Sequence, residues 1–206
     1  MTAFAPFPIA SEARSSDQET DFQQLRHQTK NALAAILMHT SKRLRAAGCW
    51  DVATEVERRI LLTAEISNAL FGLTHAPISL EERLRSLCRG IVDLLSDPTQ
   101  DIVVEVDVHS GVPLWLDATI LRAAHELVGN AVKHGMIARS TGQIRVVVTA
   151  DADGTVLVVA DNGWGFAEPF TPGDGLQVAV ALAKPFGGKV TLRRGGDFTV
   201  ATLQVP

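Results

Sequence analysis

Three constellations in this chain combine residue types that can do chemistry. The first is the run His27-Gln28-Thr29-Lys30-Asn31. On a helix, His27 points roughly opposite Leu25, Ile36 and Ala47, and Asn31 follows one turn later on the same outer face. An exposed imidazole on a rigid helix can attack a phosphoryl group, because a neutral ring nitrogen is free near neutral pH. A lone histidine on a helix is more often an ordinary polar residue on a solvated face, so this run is unspecific by itself.

The second constellation runs from His125 to Gly135 as HELVGNAVKHG. Glu126, Asn130, Lys133 and His134 fall at helical spacing on one face, while Val128, Ala131 and Val132 face elsewhere. A carboxylate, an amide and an ammonium aligned in this way suit a magnesium-bound triphosphate. The amide oxygen is a hard ligand of the kind magnesium takes, and lysine brings charge to phosphate. The ordinary alternative is an amphipathic surface helix, although asparagine has a low propensity for a helix interior.

The third constellation is a pair of glycine segments. An apolar run, VLVVA, leads straight into Asp161, Asn162, Gly163 and Gly165. A carboxylate at the end of an apolar strand is costly without a partner, and the exocyclic amine of a purine would be one. Gly173-Asp174-Gly175-Leu176 then opens a helix, where free backbone amides can hold phosphate oxygens. Taken singly, each segment is also common turn chemistry.

The elements that must position these groups follow from pattern. Ser16 with Glu19 can form a capping box that opens a helix, and neither proline nor glycine interrupts the chain until Gly48. Phe22, Leu25, Thr29, Leu33, Ile36, Thr40, Leu44 and Ala47 make one helical stripe. Asp51 is the expected cap of a second helix with a stripe at Ala53, Val56, Ile60, Thr63, Ser67 and Leu70. Two such helices form a hairpin over 16–73, and a lone hairpin buries little, so a dimeric four-helix bundle is expected. Residues 1–15 read as a loose tail and 74–78 as a linker. From 79 to 206 the pattern changes. Ser79 and Glu82 cap a helix to about Leu95, Ile102–Val108 is a strand, and Asp117 caps a long helix ending at Gly135. Gln143–Ala150 and Thr155–Ala160 are strands joined by a turn at Asp151–Gly154. After a helix from about Gly175 to Phe186, Lys189–Arg194 and Phe198–Val205 form a hairpin over Gly195-Gly196. The expected class is α+β, a helical hairpin followed by an α/β sandwich.

Composition narrows the function. A formal net charge of −4 supplies no global basic field for nucleic acid or anionic lipid. No apolar run is long enough to span a bilayer. The mildly apolar N-terminus lacks a basic region and is broken by Pro6 and Pro8, which argues against a signal peptide and for a cytoplasmic protein. Cys49 and Cys88 have no metal-type spacing.

In order and spacing, the three constellations resemble the GHKL ATPase fold as used in sensor histidine kinases. Glu126 to Lys133 looks like the N box, Asp161-Asn162-Gly163-Trp164-Gly165 like the first glycine box, and Gly173-Asp174-Gly175-Leu176 like the second. LRHQTKNAL around His27 is similar to the H-x-x-K-N acceptor box of HWE-type kinases and their relatives, and HELVGNAVKHG to the HWE-type N box, His125 included. The W-x-E signature of that type is absent, the stretch between Gly165 and Gly173 is short for an ATP lid, and Gln28 stands where the commonest kinase class has an acidic residue. The resemblance implies a protein-histidine kinase that uses ATP and magnesium. His27 would accept phosphate, Glu126 and Lys133 would assist catalysis, and Asn130 would bind magnesium. Asp161 would hold adenine, while Gly163, Gly165, Gly173 and Gly175 would shape the nucleotide loop, with Lys133 also meeting phosphate. The implied partners are a response-regulator receiver domain, a second copy through the hairpin and a separate sensor protein, with neither nucleic acid nor membrane. Two other readings stay open. One is a histidine phosphotransfer protein whose nucleotide domain is degenerate. The other is a GHKL anti-sigma-like serine kinase, which the acceptor hairpin disfavours.

Overall fold

The structure is a computed structural model and describes residues 34–71, 78–109, 111–166 and 173–206. His27, Asn31, the tail 1–15, the hairpin before residue 34 and most of the linker 74–78 lie outside the described residues. The chain divides into two compact units, Met1–Ile60 and Leu61–Pro206.

In the first unit, residues 34–46 form helix α1. Gly48, at a φ of 80° that favours glycine, turns the chain into helix α2, Trp50–Phe71. Asp51 was expected at the cap but lies inside the first turn, where its charge still complements the helix dipole. The stripe expected on α1 is left mostly open within a single copy. Ser41 is buried and its hydroxyl donates to Glu57, which Arg45 also engages, so the inner edge runs through Ser41 and the half-buried Leu44. Ile36, 64% exposed, and Thr40 and Ala47 face solvent.

The second unit begins with the end of α2, where Ile66 and Ala69 are buried. Helix α3, Leu80–Leu95, starts at the expected capping box: the Ser79 hydroxyl accepts from the Glu82 amide, and the Glu82 carboxylate from the Ser79 amide. Strand β1 is Asp101–Val108, helix α4 Asp117–Asn130, strand β2 Thr141–Asp151, strand β3 Gly154–Asp161, helix α5 Asp174–Ala183, strand β4 Lys189–Gly195 and strand β5 Phe198–Val205. Asp117 is a first-turn residue rather than a cap, and it pairs with Arg83 at 3.6 Å. Arg83 also donates to the carbonyls of Ala69 and Leu70, tying α2, α3 and α4 together. After α4 the chain makes one π-helical turn, Ala131–Gly135, closed by the Met136 amide donating to the Ala131 carbonyl.

The sheet order is β1-β2-β3-β5-β4, with β1 and β2 parallel and every other pair antiparallel. The parallel pair requires a crossover, which α4 supplies. Burial alternates along the strands, as expected for a sheet with helices on one face. Ile144, Val146 and Val148 of β2, Leu157 and Val159 of β3, and Ala201 and Leu203 of β5 point inward. They meet Leu84, Leu87 and Ile91 of α3 and Leu121, Ala124 and Val128 of α4 in one core. No described helix is long and apolar enough to cross a membrane.

Candidate functional site

Asp161 is the last inward position of β3, so the same alternation that buries Leu157 and Val159 buries its carboxylate. It is 5% exposed. Burial raises its pKa from the ordinary value, opposed in part by the Gly163 amide, which donates to Oδ1 at 2.9 Å, and by the positive charge of Arg139. The following residues hold the turn. The Asn162 side-chain oxygen accepts the Gln143 amide at 2.8 Å, and the Trp164 amide donates to the Gly135 carbonyl at 3.0 Å.

The carboxylate borders a cavity of about 420 Å³. The end of α4 and its π turn contribute Leu127, Asn130, Ala131, His134 and Gly135; Gly165, Phe166, Gly173 and Leu176 line another side. Val159, Leu192, Thr199 and Ala201 form the sheet wall. Strand register sets that wall, because Thr199 of β5 lies directly opposite Asp161, and Ala201 directly opposite both Val159 and Leu192. The Thr199 hydroxyl is buried and finds no hydrogen-bond partner among the described residues. A buried hydroxyl without a partner and a buried carboxylate with spare acceptor capacity, set among apolar walls, fit a flat, mostly apolar ligand that carries an amine.

Asn130, Asp161, Gly165 and Gly173 therefore meet at one cavity, together with His134. Glu126 and Lys133 do not line it. With His125 they line a second space of about 100 Å³, floored by Ile66, Ile91, Leu94 and Leu95, and Asn130 is the wall common to both. At about 100° per residue, Glu126 and Lys133 fall on one side of Asn130 and His134 on the other, so a face that looks single in sequence borders two spaces. The Nδ1 atom of His125 lies 3.1 Å from Glu126 Oε1.

Two predicted glycines act through close approach. A Cβ at Gly175 would lie 3.0 Å from Glu126 Oε2 and 3.1 Å from the Asn130 amide, so the start of α5 rests against both groups. Gly163 lies outside the cavity and packs its backbone on that of Gly135. The Asn130 amide and the Glu126 carboxylate are hard oxygen donors of the type magnesium takes when phosphate and water complete its shell. Among the described residues no group of three or more His, Cys, Asp or Glu would hold a metal by protein ligands alone.

Three contributors escaped the sequence reading. Gly135 looked like a helix stop, yet a Cβ there would lie 2.5 Å from Asp161 Oδ1. Thr199 is one of several strand threonines, with nothing local to distinguish it. Arg194 places its guanidinium over Gly165, with Nε 2.9 Å from where a Cβ would sit, a contact that depends entirely on the pairing of β4 with β5.

Residues 117–206 match the family described as histidine kinase-, DNA gyrase B-, and HSP90-like ATPase. Among solved structures, the histidine kinase domain of the Erythrobacter litoralis EL346 blue-light activated histidine kinase is similar at a TM-score of 0.57 and 18% identity, covering 94% of this chain and 94% of that one. A second structure of the Erythrobacter litoralis EL346 kinase gives a TM-score of 0.55 at 20% identity, over 86% of this chain and 59% of that one. At these identities the likeness carries the fold. No curated protein matches the sequence.

Proposed function

From the place of residues 117–206 in the histidine kinase-, DNA gyrase B- and HSP90-like ATPase family, we infer that the larger cavity takes ATP and that the chain is a two-component histidine kinase core. The observation that carries this is the adjacent pair Asp161 and Thr199. A buried carboxylate and an unpaired buried hydroxyl, side by side on two strands, would accept from and bond to the amine edge of adenine. The apolar walls Val159, Leu192 and Ala201 would take the ring faces.

Asn130 and Glu126 would hold magnesium, which supplies charge neutralisation to the phosphates. Lys133 supplies a further positive charge beside Asn130, and the Asp174 and Gly175 amides at the start of α5 offer donors to phosphate oxygens, the Leu176 and Gln177 amides being taken by the Gly173 carbonyl. Catalysis of this kind rests on positioning and electrostatics rather than on covalent chemistry by the ATPase domain. His27 is the proposed nucleophile, and an aspartate of a response-regulator receiver is the proposed recipient in the cytoplasm, with a separate sensor protein supplying the input. Ile36, Met38, Trp50 and Val52 remain 53–68% exposed on α1 and the start of α2, which supports pairing of two copies through this hairpin. Light scattering at micromolar concentration tests that pairing, and a monomer would end it.

The decisive experiment incubates the pure protein with γ-labelled ATP and magnesium and looks for acid-labile, base-stable label. The kinase reading expects label on the wild type and none on His27→Ala. Absence of both label and nucleotide binding, combined with uptake of phosphate from a phosphorylated receiver, would replace it with the histidine phosphotransfer reading. The short stretch 166–172 between the glycine segments favours that second outcome.

A further inference from the structure

Trp164 is 60% exposed, and yet its backbone amide, its backbone carbonyl and its indole N–H are all engaged by the protein. The amide donates to the Gly135 carbonyl at 3.0 Å. The indole Nε1 donates to the Ile137 carbonyl at 2.7 Å. The carbonyl accepts from Arg194 Nη2 at 3.2 Å. The Arg139 guanidinium lies 5.4 Å from the ring centroid, within the range of a cation–π contact. Gly135 is buried and its carbonyl needs the Trp164 amide, whereas Ile137 and the rest of Trp164 are exposed, where water could satisfy the remaining groups. The combined effect of these bonds is positional, because they fasten the turn after Asp161 to the segment 135–139 on one side and to β4 on the other.

The turn fastened in this way carries the cavity's recognition groups. Asp161 stands at its start and Gly165 at its end, with Gly165 at a φ of 79°. Arg194 completes a row across three neighbouring strands, since it lies opposite Thr199, which lies opposite Asp161. Leu192, two residues before Arg194 and on the same face of β4, lines the cavity. Arg194 thus stands at the rim, resting on Gly165.

We propose that Trp164 and Arg194 form a latch that positions the Asp161–Gly165 turn for the base of the nucleotide before ligand arrives. This rests on the ATP reading of the cavity. The latch acts on the end of the site that ATP, ADP and adenosine share, so it sets affinity for all three alike. Trp164→Phe keeps the ring and deletes the indole donor. Arg194→Met keeps the stem and deletes the guanidinium, whereas Arg194→Lys retains a donor for the Trp164 carbonyl.

The test titrates ATP, ADP and adenosine against the wild type and the three variants, and measures amide hydrogen exchange of the ligand-free proteins. Trp164→Phe and Arg194→Met are expected to weaken all three ligands by a common factor of about 3- to 10-fold, the loss of one hydrogen bond. Arg194→Lys is expected to recover most of that loss. Exchange at the Gly163 and Trp164 amides is expected to accelerate in the two damaging variants while the core strands stay protected. Acceleration throughout the domain would mean general destabilisation and overturn the latch. Weakening confined to ATP would make Arg194 a phosphate contact instead, and would overturn it equally, as would unchanged affinity and exchange. A wild type that binds none of the three ligands removes the ATP reading. The exchange measurement needs no ligand, so the fastening of the turn is judged separately.

Discussion

Gly135→Ala isolates the contact between the π turn and the buried carboxylate. An alanine Cβ at this position would lie 2.5 Å from Asp161 Oδ1, about 0.9 Å inside the 3.4 Å at which ordinary van der Waals contact begins. Oδ1 cannot retreat freely, because it accepts the Gly163 amide at 2.9 Å. Overpacking of this kind costs about 1–3 kcal/mol. Opposing it, alanine is favoured over glycine in a helical turn by up to about 1 kcal/mol. The net expectation is a loss of about 1–2 kcal/mol in the wild-type background, together with loss of nucleotide binding. In an Asp161→Ala background the clashing oxygen is gone and only the propensity remains, so the same substitution should become neutral or stabilising, by up to about 1 kcal/mol. Urea unfolding of the wild type, the two single variants and the double variant closes the cycle. The expected coupling is about 2 kcal/mol, far outside the roughly 0.3–0.5 kcal/mol scatter of independent sites. Additive effects would refute the claim that Gly135 is there to admit the Asp161 carboxylate.

Three further outcomes are expected. Asp161 has a raised pKa from burial, so the native state holds its proton more tightly than the unfolded chain, and its contribution is favourable below the ordinary value of 3.8 and lost as pH rises through the raised one. Ligand-free Asp161→Asn should therefore be more stable than wild type near neutral pH by thermal unfolding, with the gap closing as pH falls toward 4, while calorimetry shows no ATP binding. Thr199→Val removes a buried hydroxyl that lacks a partner and should stabilise the ligand-free protein by about 1 kcal/mol in denaturant titration while weakening nucleotide binding. Ser79→Ala breaks the capping box at the start of α3 and should cost about 1 kcal/mol, read by the same titration, with nucleotide affinity unchanged.

Much of this protein is written in neighbouring residues. The Ser79–Glu82 capping box and the turn between β2 and β3 rest on interactions within a few residues and occur where spacing and residue type place them. The β4–β5 hairpin and the helix holding Asn130 do so in outline, although the hairpin turns over Gly196-Asp197 rather than Gly195-Gly196 and the α-helix gives way to a π turn after Asn130. The candidacy of Asp161 was legible because a carboxylate ends an apolar run, and the alternating burial of the folded strand then leaves that carboxylate on the inner face. What meets that carboxylate depends on contacts distant in sequence. Thr199 stands beside it only because β5 inserts next to β3, and Arg194 reaches Gly165 only because β4 then pairs outside β5. Gly135 and Trp164 join across 29 positions, 164 − 135, through one backbone bond. The division of the Glu126–His134 face into two spaces likewise depends on which neighbours pack on each side of Asn130, α2 and α3 on one and β3, β4 and β5 on the other. Periodicity identifies which side chains share a face, whereas strand order and register decide what that face touches, and those are properties of the whole sheet rather than of any segment in it.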